Sequence, residues 1–415
     1  MQSFIESNDS EGLSLYIHLP YCESLCTFCG CRKHITKNHG VEEPYVQTLL
    51  KEWDLYCDLF PETPKIKKLH LGGGTPTFFS LKTLDALIEG LFKRASRAEH
   101  FEFSYEGHPN YTSREQIEGL YDLGFRRNSF GVQDYDPKVQ KAIHRIQSFE
   151  NVSKVTKWSR DIGYESVGHD IVFGLPLQTK ESVRDTLEKT KELAPDRIAF
   201  YSYAHVPWIK GTGQRGFDEA DLPQGEQKRE LYEMGTDTFG KLGYVEIGMD
   251  HFALKSDSLY RATQDQTLHR NFMGYTAGKT QLMIGLGMSS ISDSWYAFAQ
   301  NHKKVSTYQD AVNAGDFPIF RGHDLTDEDL IIRKHILRIM CESKTDWILP
   351  ESRFPELDAV LKDLLELESD GALVIGEDGL RIPDLGRPFL RNICMAFDLR
   401  LKRKTTNTRI FSSTV

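Results

Sequence analysis

LSLYIHLPYCESLCTFCGCRKHI, residues 13–35, joins an apolar run rich in β-branched and aromatic residues to four cysteines spaced C-x3-C-x2-C-x-C. Such a run reads as a buried strand, and the cysteines then fall on the loop at its end. The same kind of run recurs at 66–73 (IKKLHLGG), 100–107 (HFEFSYEG), 127–133 (RNSFGVQ), 164–176 (YESVGHDIVFGLP) and 196–207 (DRIAFYSYAHVP). Between these six candidate strands lie segments of helical spacing near 43–60, 80–95, 113–123, 149–162 and 179–193. Strict alternation of this kind predicts an α/β fold: a parallel sheet with crossover helices, forming a partial β/α barrel of about six units. Functional residues in such folds gather at the carboxyl ends of the strands. The cysteine loop, GGGTP at Gly72–Pro76, Glu106, Gln133 and Asp170 all fall there, so they are expected on one rim.

Beyond the sixth strand, WIKGTGQRGFDEADLPQG (208–225) reads as a loop or lid, followed by a helix near 226–242. YVEIGMDHFAL (244–254) and LMIGLGMSSISDSWYAF (282–298) read as an accessory α/β section. From 321 the character changes. GHDLTDEDLIIRKHILRIMCE starts a helix at a polar Thr and Asp cap, LDAVLKDLLELESDG continues as a second helix, GALVIGEDGLRIPD turns as a hairpin at Asp378-Gly379, and FLRNICMAFDLRL closes as a helix. This order predicts a mainly helical, winged-helix-like C-terminal domain, whose acidic surface favours packing over DNA binding. The expected division is 1–12 as a short tail, 13–320 as the α/β domain that carries the cysteine loop, with its accessory section from about 208, and 321–415 as the helical domain.

The chain has 415 residues, 51 basic against 60 acidic, for a formal net charge of -9. That balance argues against broad nucleic-acid binding, which draws its affinity from cations. The uncharged stretches 69–81 and 280–292 are too short to span a bilayer, and the start lacks a secretory signal, so a cytoplasmic protein with no membrane partner is expected. Four of the seven cysteines lie within ten residues, which in a cytosolic chain points to a metal site rather than to disulfides. Zinc sites usually pair C-x2-C with a distant second pair, and none is present, whereas three thiolates on one loop suit three irons of a cubane. Cys57, Cys341 and Cys394 are scattered and read as small buried hydrophobes.

C-x3-C-x2-C with an aromatic residue before the third cysteine resembles the radical S-adenosylmethionine (SAM) superfamily. Within it, Tyr16, His18, the CGC at 29–31, GGGTP, Glu106, GVQD (131–134), Arg145, DIVFGLP (170–176), YAHVP (203–207), GMDHFA (248–253) and LHRNFMGYT (268–276) occur in one order. With LIIRKHIL and RNICMAFD in the tail, the set is similar to the oxygen-independent coproporphyrinogen III oxidase (dehydrogenase) family, from about residue 13 to the end. The resemblance implies that Cys22, Cys26 and Cys29 hold a 4Fe-4S cluster with one open iron, and that Cys31 does not ligate it but is needed for activity. It implies two SAM molecules, contacted at Tyr16, Phe28, Gly73, Gly74, Thr75, Glu106, Gln133, Arg145, Asp170, Ala204 and Ile291. The implied activity is that of an oxidoreductase in haem biosynthesis. A 5'-deoxyadenosyl radical from SAM drives anaerobic oxidative decarboxylation of two propionates of coproporphyrinogen III to vinyls, giving protoporphyrinogen IX. A one-electron reductant such as flavodoxin or ferredoxin and a monomeric state are implied with it.

Arg32, Lys33, Arg127 and Arg270 are candidate clamps for the substrate's carboxylates. In one respect the chain departs from its pattern: the family carries a longer segment before the first strand, covering the cavity, where this chain has twelve residues. Two relatives supply alternatives. A haem chaperone lacks the CGC arrangement and carries His-Asn-x-x-Tyr-Trp where this chain reads HRNFMGY, and a haem-opening radical SAM methyltransferase usually lacks the fourth cysteine.

Overall fold

The computed structural model describes residues 2–208 and 213–404. These separate into two compact units, one built from residues up to 242 together with 280–323, the other from 243–279 and the described residues from 324 onward.

In the first unit, β1 (Leu13–Leu19), β2 (Lys65–Gly73), β3 (Ser96–Gly107), β4 (Phe125–Gln133), β5 (Ser166–Phe173) and β6 (Arg197–Ser202) lie side by side in that order, every pair parallel. The connecting helices are α1 (Glu42–Cys57), α2 (Leu81–Phe92), α3 (Arg114–Asp122), α4 (Phe149–Ile162) and α5 (Lys180–Leu193). Side-chain caps start four of them: Ser80 for α2, Ser113 with Gln116 for α3, Ser148 for α4, and Thr179 with Ser182 for α5. One face of the sheet is apolar, with Leu15, Ile17, Leu69, Leu71, Phe103 and Tyr105 packed in one core with Leu49, Trp53, Leu84, Leu87, Ile117 and Leu120 of the helices. Each such side chain contributes about 2 kcal/mol by leaving water. Because side chains alternate along a strand, the opposite face receives Tyr16, His18, His70, Ser104, Glu106, Ser129 and Asp170.

α6 (Glu226–Lys241) follows the sixth strand. β7 (Leu282–Leu286) then runs parallel to β1 on the side away from β2, and β8 (Ile291–Ser294), β9 (Ala297–Asn301) and β10 (Ile319–Asp324) extend the sheet outward. The sheet stays open; no closed barrel forms among the described residues. β7 was expected in an accessory section and instead makes a seventh parallel strand. It is buried along its whole length, and an apolar run of five residues carries no mark of which strand it will join. Residues 2–6 form a short helix whose Phe4 is buried against Tyr56, and Ser7 accepts a hydrogen bond from the Trp295 amide at 3.0 Å, so the expected tail is packed. Residues 209–212 of the expected lid lie outside the described residues.

The second unit contains 243–279, which on the sequence alone is expected within 13–320. Tyr275 donates to the Met340 carbonyl at 3.0 Å and Arg387 to that of Glu246 at 2.9 Å, contacts that no local pattern announces. The helix Asp327–Glu342 begins at Thr326 with a capping box to Asp329. The expected second helix divides into Leu357–Asp363 and Leu365–Ser369, and the last into Leu390–Phe397 and Leu399–Arg403. Ile339, Trp347, Val360, Leu380, Ile393 and Phe397 form their common core. The hairpin turns one residue earlier than expected: Gly379 already belongs to the strand Gly379–Arg381, and its carbonyl accepts from Gly376.

Candidate active site

The cysteine loop is anchored along its length. Its ends pair as a two-residue parallel ladder, Tyr21 with His34 and Cys22 with Ile35. GGGTP is stitched to the end of β1, with the Gly74 amide on the Leu19 carbonyl at 2.9 Å and that of Thr75 on Tyr21 at 3.0 Å. The middle is held by Thr27, which donates to the carbonyls of Ile143 and Ala142, and by Phe28 in an apolar nest of Val139, Ile143, Leu175 and Tyr203. Lys33 donates to the Cys29 carbonyl at 3.1 Å. The glycines are required at this junction. Gly73 has φ +112° and a Cβ there would lie 2.7 Å from the His18 ring, while one on Gly74 would lie 2.6 Å from the Pro20 backbone.

Around the loop the thiols meet polar partners: Cys22 lies 3.3 Å from the Thr75 hydroxyl and Cys26 3.8 Å from an Arg145 guanidinium nitrogen. Interaction with Cys31 lowers the Cys29 thiol against the cost of burial, assisted by Lys33 and Arg145, and the same interaction holds Cys31 well above its ordinary value. Among the described residues no three His, Cys, Asp or Glu side chains converge on a single ion. A cubane asks something different, one thiolate per iron, and three thiols on one loop with cations beside them fit that group.

On the polar face of the sheet, register brings side chains from separate strands into one row. Tyr16 stands opposite His70, and His70 opposite Ser104, while Glu106 stands opposite Ser129. The rings of Tyr16 and His70 stack with centroids 6.1 Å apart. His18 Nε2 donates to the Arg32 carbonyl at 2.9 Å, which leaves Nδ1 to accept from the Tyr16 hydroxyl at 3.0 Å. Burial lowers the His18 pKa, in keeping with that neutral tautomer. His70 lies 2.8 Å from Ser104 and 3.4 Å from Glu106. Burial would raise the Glu106 carboxyl, but hydrogen bonds from His70 and the Gly73 amide overcome it, and Glu106 stays below its usual value. Asp170, which accepts from Ser129 at 2.8 Å, goes the other way: burial and the charge of Glu106 push it up to about 7.

Gln133 ends β4 with φ +67°, where the pairing with β5 slips. A Cβ on Gly131 would lie 2.5 Å from Gln133 Nε2 and 2.9 Å from an Arg145 nitrogen, so the bare glycine makes room for both side chains. Arg145 donates to the Gly131 carbonyl at 2.6 Å. Ala204 is tied to the cysteine loop by Gln214, whose amide donates to the carbonyls of Ala204 at 2.7 Å and Phe28 at 3.2 Å. Ile291 begins β8 with its backbone 2.5 Å from where a Cβ of Gly285 would stand, and Gly285 is in register with Tyr16. Of the candidate clamps, Arg127 is buried and bound to Glu102 at 3.1 Å and Ser166 at 3.2 Å, which makes it structural. Arg270 lies in the second unit over the Tyr275 ring.

His70, Ser129 and Gln214 also meet the site residues, and nothing in the sequence alone sets them apart. His70 precedes Gly72 by two, a spacing that puts it on the site's face, but polar residues at alternate positions also mark any solvated strand.

The radical SAM superfamily pattern matches residues 16–190. Oxygen-independent coproporphyrinogen III oxidase of Helicobacter pylori is 40% identical over 398 residues, spanning 94% of this chain and 86% of that protein. The chain belongs to the oxygen-independent coproporphyrinogen III oxidase family. Other members are the proteins of that name from Synechocystis, 37% identical over 402 residues, and Escherichia coli, 36% over 397. The solved structure of the family's coproporphyrinogen III oxidase (HemN) from Escherichia coli, a radical SAM enzyme, superimposes with TM-score 0.91 at 34% identity, covering 96% of this chain and 94% of that one. Family membership brings with it a 4Fe-4S cluster and SAM as cofactors.

Proposed function

We propose that this chain catalyses the anaerobic oxidative decarboxylation of two propionates of coproporphyrinogen III, yielding protoporphyrinogen IX. The observation that carries the reading is the cysteine loop seated against GGGTP at the end of β1, with Glu106 and Asp170 on the polar face of the same sheet. Cys22, Cys26 and Cys29 would each hold one iron, and Cys31 would serve the reaction without ligating the cluster. When bound, the cluster and SAM supply a radical able to take hydrogen from the substrate's propionate side chain.

The protein's own residues prepare that step. Glu106, held ionised by His70 and the Gly73 amide, suits a cationic donor such as the SAM ammonium. Asp170, near neutrality, accepts a hydrogen bond or offers one according to its proton. Gly73 and Gly74 would bring main chain to the ligand without side-chain bulk, and Thr75, Tyr16, Phe28, Gln133, Arg145, Ala204 and Ile291 would supply further contacts. Two SAM molecules, a flavodoxin or ferredoxin as reductant, a monomer and a cytoplasmic location belong to the same proposal. No helix among the described residues is long and apolar enough to cross a membrane. We also propose that, within the expected 13–320, residues 13–242 and 280–320 carry the catalytic chemistry, and that 321–415 is a packing domain.

The test is an anaerobic assay of cluster-reconstituted protein with SAM, a strong one-electron reductant, an electron acceptor and coproporphyrinogen III, read by porphyrin fluorescence after chromatography. Protoporphyrin is the expected product. SAM cleavage with coproporphyrinogen untouched would overturn the substrate assignment.

A further inference from the structure

Glu52 of α1 is wholly buried, and among the described residues its carboxylate has only neutral hydrogen-bond partners. One oxygen accepts from the Gly287 amide at 2.8 Å and the Tyr308 hydroxyl at 2.7 Å, and the other from the Asn301 amide at 2.6 Å. Removing a carboxylate from water costs several kcal/mol, and three neutral donors offset that only in part, so an apolar residue would serve packing better. The carboxyl is accordingly pushed up to about 7 by burial.

What the carboxylate grips is the turn between β7 and β8. Gly287 has φ +97° and Ser289 φ +62°. A Cβ on Gly287 would lie 2.6 Å from the His18 carbonyl and 2.7 Å from the Tyr45 hydroxyl, so the turn is pressed against the end of β1. Tyr45, seven residues before Glu52 on the same helix, bridges the two: it donates to the His18 carbonyl at 2.9 Å and accepts from the Met288 amide at 3.0 Å. Asn301 passes the grip onward, donating also to the Gly287 carbonyl at 3.0 Å, and Ser290 closes the turn on the carbonyls of Gly285 and Gly287. The next residue is Ile291.

We propose that Glu52 is a positioning residue that sets the place of the Gly285–Ile291 main chain relative to the end of β1, and through it the affinity for SAM. The inference rests on the reading of Ile291 as a SAM contact and goes beyond it by naming the group that holds it there. Glu52→Gln keeps the volume but must turn its amide hydrogens toward a donor, Gly287 and Tyr308 on one side or Asn301 on the other. In either orientation one side of the grip loses its acceptor, the turn amide with Tyr308 or Asn301, while the helix remains.

In the reconstituted full-length protein, Glu52→Gln should raise the KM for SAM about tenfold, with the KM for coproporphyrinogen III and the cluster absorbance unchanged. Tyr308→Phe, which removes one donor without adding a mismatched amide, should move the KM for SAM the same way by a smaller factor. It decides the question if the Glu52 variant does not fold. A lowered melting temperature with an unaltered KM for SAM in both variants would overturn the proposal and make Glu52 purely structural. Wild-type protein unable to cleave SAM would instead overturn the enzymatic reading itself, so the two failures are distinct.

Discussion

Gly73 shows how single residues bind this site together. Its φ of +112° and the 2.7 Å approach of the His18 ring leave no space for a methyl group, so Gly73→Ala must push His18 off Tyr16 and the Arg32 carbonyl. The expected cost is about 1–3 kcal/mol from the backbone conformation alone, read as a fall in melting temperature together with reduced cluster content after reconstitution. Cys31→Ser should behave differently. If Cys22, Cys26 and Cys29 suffice for the cluster, its absorbance survives while decarboxylation is lost, and loss of the absorbance would contradict the assignment. The cysteines were legible because their chemistry depends on spacing along the chain. His70, Ser129 and Glu52 were not, since a histidine, a serine and a helical glutamate look alike in sequence whether they face water or a buried partner.

At the scale of elements, capping chemistry carried the prediction. Thr326 was expected to begin a helix, and its hydroxyl accepts from the Asp329 amide while Asp329 reaches back to the Thr326 amide at 2.9 Å. Thr326→Ala should cost about 1 kcal/mol, measured by denaturant titration. Asp329 is also gripped by Arg400 at 2.6 and 2.7 Å, which holds its carboxyl far below the usual range. This stabilisation is present above the carboxyl's unfolded pKa and lost as pH falls below it. Arg400→Ala should therefore lower the melting temperature at neutral pH, with the difference from wild type shrinking below about pH 4.

Across the whole molecule, buried titratable groups predict a stability maximum. His169 and His251 are lowered to about 3 and about 4 by burial, and His18, His108 and His335 are lowered by the same cause. The unfolded chain binds protons at these sites first, so stability rises with pH up to about 6.5. Glu52, Asp134 and Asp170 are each raised to about 7, so the folded protein keeps protons that the unfolded chain has released, and their contribution is lost as pH rises through 7. The melting temperature of the free protein should peak between about pH 6 and 7, and Asp134→Asn should flatten the limb above it. A monotonic rise through pH 8 would contradict this account.

The amino-acid sequence by itself determined the six strand–helix units, their polarity and the loop that carries the cysteines, because hydrophobic period, caps and cysteine spacing are all local properties. Tertiary structure alone decided that LMIGL joins β1, that 243–279 belongs with the C-terminal residues, and that Glu52 and Tyr45 meet the turn before Ile291. A short apolar run states that it will be buried but not beside which strand, since the choice rests on register and packing summed over residues far apart in the chain. The charge states of Glu106 and Asp170 follow the same logic. The two carboxylates are chemically alike in sequence, and only the strands facing them give one a histidine and an amide and the other a serine and a neighbouring negative charge.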